Sequence, residues 1–275
     1  MKICVTGGSG YIGSALVQRL MVKGHDVDVI DWAIGKDVFH VREFDYDVVY
    51  HLAAVSGVQA CEKEDRDFVM RMNIDACSYV AKNCREDTLL VYTSTSAIYA
   101  KSNSIYSNSK FSGELRIKEY HQKSVILRLA TIYGVSPFMR RNLLVNDFVR
   151  SAVIDGYIVI RNLDDLRPFV SLIDCVHMLS IFATGKPTDN ILKADYWDVF
   201  DSRLFCSKRS IANIISNLAN CEIYYSLHKD KHPQDFGEIT AKPLWTSGMK
   251  PISEETILPI AKHYERQYTP TFHRA

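Results

Sequence analysis

Short runs of Val, Ile and Leu alternate along this chain with longer stretches in which apolar positions recur at helical spacing. The pattern predicts strands over 2–7, 25–31, 47–54, 88–94 and 124–130. It predicts helices over 10–24, about 63–85 and 106–123. The strands read as near-continuous apolar runs, as strands buried on both faces do. An α/β fold follows, a Rossmann-type doubly wound parallel sheet. After Gly134 the rhythm changes. A loop rich in Pro and Arg, 136–142, leads to an amphipathic helix near 142–155, and 167–183 reads as a strand followed by a helix. Shorter elements follow, with turns at Pro233, Pro243, Pro251 and Pro259. No repeat or flexible linker intervenes, so a smaller mixed α/β lobe is expected to be built directly against the first. A crevice between lobes is where a small ligand is expected.

Composition narrows the classes. With 275 residues and 47% hydrophobic content, the chain can bury a sizeable core. Thirty-three basic residues against 32 acidic leave a formal charge of +1, so bulk charge favours neither nucleic acid nor an anionic membrane. Any bound anion needs a local site. Seven cysteines without a CxxC pair are expected to be reduced and mostly buried, with no metal or disulfide role. The N-terminus lacks a signal-like apolar stretch, and no run of about 18 apolar residues could span a membrane. A cytoplasmic protein is expected.

The first strand runs into Thr6-Gly7-Gly8-Ser9-Gly10-Tyr11-Ile12-Gly13, which opens the first helix. So tight a turn needs residues without Cβ, and the helix N-terminus offers free N–H groups to a pyrophosphate. Asp31 closes the second strand, where an acid can accept bonds from both ribose hydroxyls and repel a 2′-phosphate; this favours NAD over NADP. The bland alternative is a glycine turn that only reverses the chain. Trp32 has two readings, a ring stacked on adenine or a packing contact between lobes.

Tyr106 and Lys110 are four apart and share a helix face, downstream of the hydroxyls Ser94-Thr95-Ser96 at a strand end. Hydride transfer from a carbinol needs a base, and a phenol of ordinary pKa near 10 is a poor one. An ammonium about 4 Å away contributes roughly 4 kcal/mol at an effective dielectric near 20, enough to lower that pKa by up to about three units. The Thr95 hydroxyl can hold the reacting oxygen. YxxxK alone occurs often by chance on surface helices; its place after the glycine turn and the hydroxyl cluster gives it weight.

With these residues the sequence resembles the NAD-dependent epimerase/dehydratase family, the extended short-chain dehydrogenases that include UDP-glucose 4-epimerase. His51-Leu52-Ala53-Ala54 resembles the family's HxAA strand end, Asn73 its helix asparagine, and Thr95-Ser96-Ala97-Ile98-Tyr99 its S/T-x-x-V-Y segment. Residues 127–134 are similar to LRxxNVYG and 167–174 to R-x-F-x-H-V-x-D. The resemblance implies an NAD-binding domain over 1–135 and a substrate lobe over 136–275, with 167–184 returning to the first domain. It implies NAD held by Gly7, Gly10, Tyr11, Ile12, Gly13, Asp31, Trp32, Asp37, Val38, Leu52, Ala53, Ala54, Tyr106 and Lys110. It implies a nucleotide-diphosphate sugar held by Thr95, Thr131, Arg140, Arg141, Asn142 and Arg167, in a homodimer. For Arg140 and Arg141 a solvated loop is the competing reading.

The chain also departs from the family. Thr131 stands where many members have asparagine, Ser171 replaces histidine, and the stretch after Asp31 is short, with Asp37-Val38 in place of Asp-Ile. Region 228–250 lacks the diphosphate arginine, leaving Lys229, Lys231 or Lys242 to compensate. Members that dehydrate the sugar carry Asp-Glu after the catalytic threonine; Ser96 and Ala97 cannot move that proton. No cysteine lies beside Thr95 for 3,5-epimerisation. A 4-epimerase is therefore expected, with a 4-ketoreductase and a catalytically silent dinucleotide-binding protein as alternatives.

Overall fold

The computed structural model describes residues 1–101, 103–226, 236, 241–244 and 248–268. The first part of the chain runs β1 (Lys2–Thr6), α1 (Tyr11–Val22), β2 (Asp26–Ile30), β3 (Val48–His51), α2 (Val58–Lys63) and α3 (Arg66–Met70). It continues with α4 (Ala76–Asn83), β4 (Leu89–Thr95), α5 (Ile105–Tyr120) and β5 (Ser124–Leu129). Next come β6 (Thr131–Tyr133), α6 (Leu144–Ile154), β7 (Tyr157–Ile160), β8 (Leu166–Ser171), α7 (Leu172–Ile181) and α8 (Asp189–Lys193). The described chain ends with β9 (Trp197–Val199), β10 (Phe205–Ser207), α9 (Lys208–Ala219), β11 (Glu222–Tyr225) and α10 (Glu254–Tyr268).

Six strands form one sheet in the order β2-β1-β3-β4-β5-β9, with every neighbouring pair parallel. All residues of β3, β4 and β5 are buried, which explains the unbroken apolar runs that carry no alternation. The order reverses beside β1, since β2 lies on one flank and β3 on the other. Loops leaving these strands diverge there, and a crevice opens at the carboxyl edge. The short stretch after Asp31 forms two 3-10 turns, Trp32–Ile34 and Val38–His40, so β2 ends the sheet.

The expected helix over 63–85 is broken. A π-helical turn, Arg71–Asp75, separates α3 from α4. Asn73 lies in this turn, and its side chain bonds to the loop after β3 and to Ser109 on α5.

Strands β10-β8-β6 make a second sheet, and β7 pairs with β11 in parallel. Their core includes Tyr133, Phe148, Ile158, Ile211, Ile257 and Tyr264, separate from the core beneath the main sheet. The later chain also reaches the main sheet. β9 extends it beyond β5, and α7 packs on α1, where Arg19 Nε donates to Ser180 Oγ at 2.9 Å and Tyr50 Oη to the Leu179 carbonyl at 2.9 Å. All seven cysteines are free, and no described helix is long and apolar enough to cross a membrane.

Candidate active site

At Gly7 the chain takes φ +71°, and a Cβ there would lie 2.7 Å from the Ala53 amide nitrogen. At Gly13 a Cβ would overlap the Gly7 carbonyl oxygen. Both positions therefore need glycine. Gly10 is the N-cap of α1 and no side chain caps it, so the first-turn N–H groups and the positive end of the helix dipole are left for a ligand. Gly7, Gly10, Tyr11, Ile12 and Gly13 line a cleft of about 1580 Å³, together with Leu52, Ala53 and Ala54 from the end of β3. The Tyr11 phenol donates to the Gly134 carbonyl at 2.6 Å and accepts from Asn146 Nδ2 on α6 at 3.3 Å.

Asp31 stands beside this turn, its two oxygens accepting the amides of Ser9 and Ala33, each at 2.9 Å. Trp32 lines the same end of the cleft, its ring 5.2 Å from that of Phe68 on α3. The ring thus packs on a helix of the fold and also faces the cleft, so both readings of Trp32 keep a contact. Val38 lines the cleft, but Asp37 does not; its carboxylate is taken up in capping the second 3-10 turn, accepting from the Phe39 amide at 3.1 Å.

Deeper in the cleft, β4 delivers Thr95, whose Oγ1 accepts the Ala97 amide at 3.1 Å. A reciprocal Ser104–Ser107 capping box fixes the start of α5, which sets Tyr106 in its first turn and Lys110 one turn on. Thr95, Tyr106 and Lys110 all line the cleft. Gly113 lets α5 sit close on β4: a Cβ there would fall 2.5 Å from the Tyr92 hydroxyl. Lys110 is thereby buried, with Nζ 4.1 Å from the centre of the Tyr92 ring. Burial lowers its pKa to about 8.

Burial raises the pKa of the Tyr106 phenol, while the hydroxyls of Thr95 and Ser56 and the charge of Arg140 oppose the rise.

Thr131, Arg140, Asn142 and Arg167 line the cleft as expected of substrate contacts. The Arg140 guanidinium grips Ser56, with Nη1 3.2 Å from Oγ and Nη2 3.0 Å from the carbonyl oxygen. Arg141 is exposed and does not line this cleft; with Arg140, His263 and Gln267 it lines a neighbouring shallow one. At the far end, Arg161, Arg167 and Lys208 converge. Lys208 is buried, donates to the Arg161 carbonyl at 3.0 Å and lies 3.2 Å from Asp165, which is 3.7 Å from Arg167. Lys242 instead lies beside Tyr196 and Trp197 and does not line the cleft; Lys229 and Lys231 fall outside the described residues. Sequence reading missed Ser56, Arg161 and Lys208. Ser56 had one usable signal, its place just after the HLAA strand end; the two cations had none.

Residues 3–191 match the family model described as NAD dependent epimerase/dehydratase family. The chain belongs to that family. An uncharacterized UDP-glucose epimerase of Bacillus subtilis is 28% identical over 235 residues, covering 68% of this chain and 73% of its own. Protein CapI of Staphylococcus aureus is 28% identical over 236 residues, covering 66% and 68%. The UDP-glucuronic acid 4-epimerase of Bacillus cereus, solved with UDP-glucuronic acid and NAD, superposes with a TM-score of 0.78 at 21% identity, over 98% of this chain and 100% of its own. The UDP-glucose 4-epimerase of Thermotoga maritima, solved with UDP-glucose, gives 0.77 at 19%, over 97% and 99%. These structural likenesses support the α/β fold.

The family's cofactor is NAD, and the residues present fit it: an uncapped helix terminus, glycines where a Cβ would collide, and a carboxylate pinned beside the turn. Other residues that carry the family resemblance serve the frame. His51 is buried against Thr6, Nδ1 to Oγ1 at 2.7 Å, and burial lowers its pKa to about 3. Arg128 forms a buried two-bond pair with Glu114, at 2.9 and 2.7 Å, and donates to Tyr99 at 2.8 Å. Asn73 brackets Val55, accepting from its amide at 2.8 Å and donating to its carbonyl at 3.0 Å.

Proposed function

We propose that the protein is an NAD-dependent nucleotide-sugar 4-epimerase. The observation that carries this reading is the convergence of the Thr95 and Tyr106 hydroxyls in one cleft, between the dinucleotide turn and a cationic far end. Bound NAD supplies reversible hydride exchange with one sugar carbon. Tyr106 takes the proton of the reacting hydroxyl and later returns it, while Thr95 holds the oxygen. Lys110 keeps an ammonium at the cleft floor. Arg161, Arg167 and Lys208 suit a diphosphate, since guanidinium forks match phosphate oxygens. Ser96 and Ala97, directly after Thr95, are buried and carry no acid, which disfavours 4,6-dehydration. Cys61 does not line the cleft; its thiol donates to the Val55 carbonyl at 3.3 Å, and burial raises its pKa to about 11, which disfavours a cysteine-based 3,5-epimerisation.

Incubation of the NAD-loaded protein with UDP-hexoses tests the reading. The expected product is the 4-epimer, formed without net consumption of added cofactor, and Tyr106→Phe lowers kcat by about 100-fold or more. Stoichiometric loss of added NADH or NADPH with a 4-keto sugar would instead make the protein a reductase.

A further inference from the structure

The turn between β7 and β8 is held against the start of α9 at three points. The Arg209 amide donates to the Leu163 carbonyl at 3.0 Å, and Lys208 Nζ donates to the Arg161 carbonyl at 3.0 Å. The Lys208 ammonium also lies 3.2 Å from Asp165 Oδ2. Strand β10, which leads directly into α9, pairs with β8 so that Cys206 is opposite Arg167. Lys208 thereby lines the same end of the cleft as Arg161 and Arg167.

This is a costly place for a cation. Lys208 is buried, and it is the first residue of α9, where the helix dipole presents its positive end. An apolar side chain would serve packing alone. What the ammonium meets is the Asp165 carboxylate, which also lies 3.7 Å from Arg167 Nη2. Both contacts fall on the same oxygen, and the lysine holds the shorter one. The other carboxylates lining this end, Asp147 and Asp155, lie 3.3 and 3.6 Å from Arg150. Asp165 is therefore the anion that competes for Arg167, and Lys208 is its counter-ion.

We infer that Lys208 is a positioning residue for phosphate recognition: by neutralising Asp165 it keeps the Arg167 guanidinium available to the diphosphate of the substrate. The inference rests on the cationic end of the cleft receiving that diphosphate, but its test needs no turnover. Calorimetry on the NAD-loaded protein measures UDP, dTDP, CDP and GDP, with the nucleoside of each as a phosphate-free control. In Lys208→Met the carboxylate is left to Arg167, so affinity for the best-bound diphosphate falls about tenfold while that for its nucleoside moves by less than about twofold. Removing the carboxylate as well, in Lys208→Met with Asp165→Asn, recovers most of the loss, which a merely structural role of Lys208 would not allow. With a UDP-hexose as substrate, KM rises by about the same factor and kcat moves less. A double variant as weak as Lys208→Met alone would overturn the inference and make Lys208 a direct phosphate ligand. Diphosphates that bind no more tightly than their nucleosides would overturn it too. If Lys208→Met does not fold, Asp165→Asn alone decides: diphosphate affinity holds or rises, and a loss of about tenfold sinks the idea. If no UDP-hexose turns over while the affinities change as stated, the proposed reaction fails and this inference stands.

Discussion

Lys110 shows how one side chain can serve chemistry at a cost to the fold. Its pKa falls from 10.5 to about 8 because the ammonium is buried, with the Tyr92 ring face returning part of the lost solvation. Between those values the unfolded chain holds a proton that the folded chain does not, so stability rises as pH climbs through that window. Below it the full cost is present. Lys110→Met is therefore expected to stabilise the protein by about 2 kcal/mol at neutral pH while lowering kcat by about 100-fold or more. Denaturant midpoints beside activity assays check this; a less stable variant would mean that the ammonium is well solvated in its site. At this scale Gly7, Gly13, Asp31, Thr95, Tyr106 and Lys110 were legible in the sequence, because a tight turn, a strand end and an i,i+4 spacing are local. Asp37 and Arg141 do not line the cleft: the Asp37 carboxylate caps its own 3-10 turn, and Arg141 is exposed beside a neighbouring one.

Among the elements, α5 carries the proposed catalytic pair and is held by more than its cap. Arg128 on β5 and Glu114 on α5 form a buried two-bond pair, each 5% exposed, and Arg128 continues through Tyr99 to Asp198 on β9. Breaking such a pair strands a charge, whereas removing both partners does not. Arg128→Leu is expected to cost about 3–5 kcal/mol, and Arg128→Leu with Glu114→Leu less than the sum of the single changes. A double-mutant cycle in urea measures the coupling; strict additivity would reduce the pair to spectators. The strands followed from apolar runs, whereas the serine capping box that starts α5 is seen only in the structure. The π turn did not, since one extra residue within a helix barely disturbs the apolar spacing and only the bonds of Asn73 reveal it.

Across the whole molecule, a buried histidine shapes stability against pH. His51 is neutral when folded, its pKa lowered from 6.5 to about 3, so the unfolded chain gains a proton first as pH falls. Stability is then lost between those values, by up to about 4 kcal/mol from this residue. His51→Asn, which keeps a polar partner for Thr6, is expected to flatten the acid limb of unfolding free energy measured over a pH series. An unchanged acid slope would assign the loss to other groups.

The sequence by itself determined the parallel sheet and the glycine turn, and it named the acid, threonine, tyrosine and lysine that line one cleft, because each is written in local spacing. Tertiary structure alone decided that Arg140 grips Ser56 and that β9 and α7 from the later chain complete the first layers. Those arrangements depend on residues far apart in the chain coming to one place, and apolar periodicity carries no record of such meetings.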